Sequence, residues 1–142
     1  MDRAAPDGRP PANLAVQMVV VLFTCPVAPV GALLVTSVLG FLVGLLPLTS
    51  DQELLATNIL FHIGVALAAA LWVALGFLVS SPEWRRLGLF VGYAEGLVIA
   101  AALALYSAES SSLWPAFGLA AAVGFLALLW LLRYLPKSSP SS

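Results

Sequence analysis

The sequence predicts an all-α integral membrane protein, a four-helix transmembrane bundle with both termini in the cytoplasm. Three observations carry this. Of 142 residues, 61% are hydrophobic and only 9% are charged, a balance that leaves a water-facing exterior without the charge it needs. The apolar residues fall into long runs, and a bilayer crossing takes about 20 of them. All six basic residues sort to one side if the chain crosses four times.

Residues 1–12 hold Asp2, Asp7 and three prolines and read as a disordered cytoplasmic tail. Their acidic and proline content argues against a transit helix, and Asp2 excludes myristoylation. The first apolar run, 13–46, is too long for a signal-peptide core and shows no clear cleavage site, so no removable leader is expected. It is interrupted by Cys25-Pro26-Val27-Ala28-Pro29. Leu14–Thr24 alone spans only about 17 Å, too short to cross. The expectation is one crossing over roughly 30–46 after a kinked or interfacial segment; a single long helix bent at Pro26 and Pro29 is the alternative.

Ser50-Asp51-Gln52-Glu53 has capping-box spacing and opens a second helix that ends near Val79. Ser81-Pro82 restarts the chain, serine as cap and proline at the first helical position, and the third helix ends near Tyr106. A polar turn over 107–112 leads to a fourth helix from Leu113 to about Tyr134. The four-pass domain is thus 13–135, and 136–142 is a second cytoplasmic tail.

Orientation follows from charge. Arg3 and Arg9 lie in the head, Arg85 and Arg86 in the middle turn, Arg133 and Lys137 at the end, whereas the opposite turns hold Asp51, Glu53 and Glu109 and no cation. Five crossings would put the head arginines on the wrong side. Trp84, Trp130 and Tyr134 suit the inner interface, Tyr106 and Trp114 the outer one.

The third helix carries Gly88, Gly92, Gly96, Ala100 and Ala104 at every fourth place. The first repeats the pattern with Ala32, Thr36, Gly40 and Gly44, the fourth with Ala116, Ala120 and Gly124. Small residues at this spacing let helices approach closely in lipid. They serve packing within the bundle or, where a stripe stays outward, docking of partner membrane proteins.

Two ionisable residues lie within the spans, Glu95 and His62. Counted from the outer helix ends they sit about 16 Å and 12 Å deep, so they could meet. Asn58 shares the His62 face, and Thr36 and Ser37 lie at comparable depth. An intramembrane carboxyl is costly unless paired or protonated and points to function by default. Here it serves either as interhelical glue or in cation or proton transfer.

Net charge of −1 gives no basic surface for nucleic acid. Cys25 is the single cysteine, so an internal disulfide, a cysteine zinc site and a redox pair are all excluded. No phosphate loop, paired carboxylates or nucleophile beside a base occurs, so neither enzyme activity nor a cofactor is expected.

Two resemblances add to this reading. Pro47-Leu48-Thr49 with Glu53, Gly76-Phe77-Leu78, and above all Glu109-Ser110-Ser111-Ser112-Leu113-Trp114-Pro115-Ala116-Phe117 resemble the transmembrane protein 107 family. The last stretch is similar to that family's outer turn. The resemblance implies a non-catalytic component of the ciliary transition zone, needed for ciliogenesis and ciliary membrane composition. Cys25-Pro26 and Glu83-Trp84-Arg85-Arg86 also look like small four-pass mercuric-ion uptake proteins, whose first segment has two cysteines where this chain has one. That resemblance implies cation transfer, with Glu95 and His62 as the intramembrane groups.

The charge pattern predicts that a glycosylation acceptor inserted beside Thr49 is modified in microsomes and one inserted beside Arg86 is not; the reverse result overturns the orientation.

Overall fold

The computed structural model describes residues 13–106 and 113–135. The two tails, the turn over 107–112 with Glu109 and Ser112, and with them Arg3, Arg9 and Lys137, lie outside the described residues. All regular structure among the described residues is helical: α1 (Leu14–Thr24), a 3-10 turn (Cys25–Val27), α2 (Ala28–Gly44), α3 (Ser50–Val79), a second 3-10 turn (Pro82–Trp84), α4 (Arg85–Tyr106) and α5 (Leu113–Leu132). Four segments are long and apolar enough to cross a membrane: Leu14–Gly44, Ser50–Val79, Pro82–Tyr106 and Leu113–Leu132.

The first segment corrects the expected crossing over 30–46. Thr24 (φ −88°, ψ −40°) and Ala28 (φ −53°, ψ −44°) flank the proline turn in right-handed helical geometry. The chain therefore never leaves the helix and bends rather than breaks. Pro26 and Pro29 cannot donate to the ladder, and the Cys25–Val27 turn absorbs this by tightening: the Ala28 N–H reaches the Cys25 carbonyl in the 3-10 pattern. The bend has a packing consequence. α1 lies against both α3 and α4, whereas α2 runs along α3.

Helix boundaries otherwise fall near the expected places, with two local differences. The capping box sits one residue early. Thr49 is the cap (ψ 162°), and its backbone N–H donates to Gln52 Oε1 at 3.1 Å, where Ser50 and Glu53 were expected. α5 ends at Leu132, short of Tyr134.

α3 is the element that all other helices touch. Its two faces carry two small cores. On one side Trp72 packs with Val21, Cys25 and Ala28. On the other Val73 packs with Leu89, Leu128 and Leu135. Elsewhere large apolar side chains point outward, as with Leu33, Phe41, Leu54 and Leu126, each at least 64% exposed. Such an exterior is stable only where hydrocarbon is the solvent, and the protein is a multi-pass integral membrane protein.

The tightest approach joins the end of α3 to the start of α4. A Cβ on Gly76 would lie 2.8 Å from the Gly88 carbonyl oxygen, and one on Gly88 would lie 2.7 Å from the Gly76 carbonyl oxygen and against Ser80 Oγ. Only two facing glycines permit this separation. Ser80, itself buried, donates its hydroxyl to the Gly76 carbonyl at 2.6 Å and completes the joint. The Ser81 N–H then donates to Gln17 Oε1 at 3.0 Å. The start of the first span and the α3–α4 turn thus share one end of the bundle. Arg85 lays its guanidinium 4.9 Å from the centre of the Phe77 ring, a cation–π contact across the same turn.

Gly88→Ala is expected to lower stability by about 1–3 kcal/mol, because backbone on the facing helix cannot yield. Gly118→Ala, whose Cβ meets nothing within 4 Å, serves as the neutral control; unfolding of both variants in bicelles measures the difference.

Candidate functional site

The candidate site is the ionisable group placed deepest by the sequence, Glu95. It stands on α4 one turn beyond Gly92. A Cβ on Gly92 would lie 3.5 Å from Cys25 Sγ and 3.5 Å from the Gly76 Cα, and one on Gly96 would lie 3.6 Å from the Trp72 indole. The glycines around Glu95 therefore admit two side chains from outside α4: the fully buried thiol at the α1–α2 bend and the indole of α3. The Trp72 indole is the donor that faces the Glu95 carboxyl. The pair stops short of hydrogen-bond geometry, and both Trp72 Nε1 and Glu95 Oε2 are buried without a partner.

His62 does not join this group. Its Nδ1 lies 2.8 Å from the Asn58 carbonyl oxygen within its own helix, and its ring packs edge-on against Phe61. It borders a shallow groove with Asn58, Ile63 and Leu119. Trp72, level with Glu95, lies ten residues further along α3, about 15 Å at the helical rise. The expected meeting of Glu95 and His62 is therefore absent, for a definite reason. Register between α3 and α4 is set at the Gly76–Gly88 joint, whereas a count of depth runs from the opposite ends. α3 has 30 residues and α4 has 22, so the outer ends are not level.

The small-residue stripes are mostly consumed inside the bundle. Gly88 and Gly92 are buried against α3, and Gly96 lies against Trp72. On α2, a Cβ at Gly40 would meet Leu60 at 3.8 Å, and one at Gly44 would meet nothing within 4 Å. Thr36 sits over Gly64, where an added Cβ would be 2.9 Å from Cγ2, and its hydroxyl donates to the Ala32 carbonyl at 2.9 Å. On α5, Ala116 and Gly124 are buried, with Gly124 under the Tyr93 ring.

Sequence reasoning missed three residues that build this region: Gln17, Trp72 and Tyr93. Gln17 is the one side-chain amide inside the first run beyond its opening residue Asn13, a signal legible in the chain. Tyr93 donates its hydroxyl to the Ala121 carbonyl at 3.0 Å and joins α4 to α5. Trp72 gave no such signal, since a tryptophan inside an apolar run reads equally well as lipid-facing.

Chemically the site offers one carboxyl, one thiol and one indole. Among the described residues no group of three His, Cys, Asp or Glu side chains could hold a metal ion. The fold and site together define a class: an all-α, multi-pass membrane protein with one half-buried carboxyl, Glu95, packed among the glycines of α4. The chain matches no family model, no curated protein sequence and no solved structure. Trp114 and Phe117 form an edge-on ring pair, centroids 5.9 Å apart, in the first turn of α5.

Tyr93→Phe is expected to destabilise the bundle by about 0.6 kcal/mol, and by no more than about 1.7, through loss of one interhelical hydrogen bond in lipid. Glu95→Gln should change stability by less, since Oε2 has no partner to lose. Chemical unfolding in bicelles compares the two; a larger loss for Glu95→Gln shows that the carboxyl holds an interaction.

Proposed function

We propose that the protein is a non-catalytic membrane component that assembles with other membrane proteins through its outward helix faces. The observation that carries this reading is the outer face of α5. Gly118 and Ala122 are exposed and four residues apart, and space is open above Gly118. A foreign helix can approach the backbone closely there, whereas the α4 stripe is already occupied by α3. The finer form of the proposal places the protein in the ciliary transition-zone membrane, both termini cytoplasmic, with a part in ciliogenesis. It is supported by the resemblance of the segment ending in Trp114 and Phe117.

A second reading is favoured by one observation, the buried and unpartnered Glu95 Oε2. In it the protein is a small cation or proton transporter. Since His62 stands apart, transfer would run through Glu95 without it.

Gly118→Leu is expected to cut recovery of co-purifying membrane proteins from ciliated cells several-fold while leaving the bundle intact. Gly92→Leu should lose both partners and fold, and Glu95→Gln neither. Normal recovery with Gly118→Leu removes the first reading. Flux in reconstituted vesicles that is abolished by Glu95→Gln establishes the second.

A further inference from the structure

The α3–α4 joint holds one end of the bundle closed, and beyond it the helices do not fill the space between them. An apolar cavity of about 370 Å³ opens there, bounded by α3, α4 and α5. Its lining on α3 runs from Phe61 to Val73, on α4 from Gly92 to Ala104, and on α5 from Leu113 to Gly124. The stretches are 13, 13 and 12 residues, or 12, 12 and 11 helical steps, so the cavity is a slot about 17–18 Å long. One leaflet of a hydrocarbon core about 30 Å thick measures about 15 Å. The slot is therefore as deep as a leaflet, and its lining stops at Val73 and Gly92, one turn short of Gly76 and Gly88.

Its width selects the occupant. A volume of about 370 Å³ open to the centre of a water-sized sphere is, over that length, a cross-section of about 20 Å²; adding the sphere's radius of about 1.4 Å on each side gives a channel about 8 Å across, room for a hydrocarbon chain with its van der Waals envelope. A helix, about 10 Å across with its side chains, does not fit. The walls offer water little: they are alanine, glycine and large apolar groups, the Tyr93 hydroxyl is already bonded to Ala121, and Trp72 Nε1, though unpartnered, is itself buried.

We propose that this slot seats a single acyl chain of a membrane phospholipid, inserted from the end of the bundle remote from the Gly76–Gly88 joint. The surrounding leaflet supplies the chain, and the walls supply the dispersion contacts that an unfilled cavity forfeits. This site is separate from the partner-docking face of α5 and stands whether or not that reading does.

The test uses the full chain in nanodiscs containing a phosphatidylcholine with a diazirine at the end of one acyl chain. Photolabelling followed by peptide mapping is expected to concentrate label on Leu97 and Ala120, inside the slot, above the level on Leu126, which faces lipid on α5. Ala100→Phe, which fills the slot from α4, should reduce slot labelling several-fold and leave Leu126 unchanged. Ala120→Leu, read at Leu97, repeats the test from the facing helix if Ala100→Phe does not fold. Label on Leu97 and Ala120 no higher than on Leu126 in the unsubstituted protein, or slot labelling that survives a folded filling variant, overturns the proposal.

Discussion

Backbone contact between Gly76 and Gly88 is the constraint on which the rest of the bundle depends. Two helices that meet without side chains between them have one register, because any slip drives a Cβ into a carbonyl oxygen. From that register follow the level of Trp72 with Glu95, the seat of Cys25 over Gly92, and the distance between Glu95 and His62. It follows too that α3 and α4, pinned at one end, leave room between them and α5 toward the other. In lipid this kind of contact is worth more than a larger apolar interface, since burying leucine against leucine gains little when the alternative neighbour is an acyl chain.

The bend at Pro26 and Pro29 solves a second problem. A straight helix along α3 would leave the joint uncovered on one side. By tightening into a 3-10 turn without leaving helical geometry, the chain turns α1 across both α3 and α4. Gln17 then reaches the Ser81 N–H, and Val21 and Cys25 bury themselves beside Trp72. A proline pair inside a span therefore acts as a directional device, and the Cys25 carbonyl that Pro29 cannot engage is met by the Ala28 N–H.

Polar groups divide by whether a neighbouring helix satisfies them. Ser80, Thr36 and His62 spend their polar atoms on carbonyls of their own helices one turn back, which suits hydrocarbon, and none of these bonds itself links two helices. Gln17 and Tyr93 reach across to other helices. Glu95 and Trp72 face each other with unspent valence. A small helix shift there would create a new interhelical hydrogen bond.

The class, the four spans, their approximate ends and the presence of small-residue stripes were legible in the chain. Each depends on composition or on spacing along one helix, and hydrocarbon imposes those rules locally. The partners of each side chain were not legible. Depths counted from helix ends brought Glu95 to His62, and the structure brings it to Trp72, because relative register is a property of two helices at once. The same holds for the glycines: their period announced close packing, but which stripe meets α3, which residue stays open, and how much space remains beyond the joint were decided only when the backbones met.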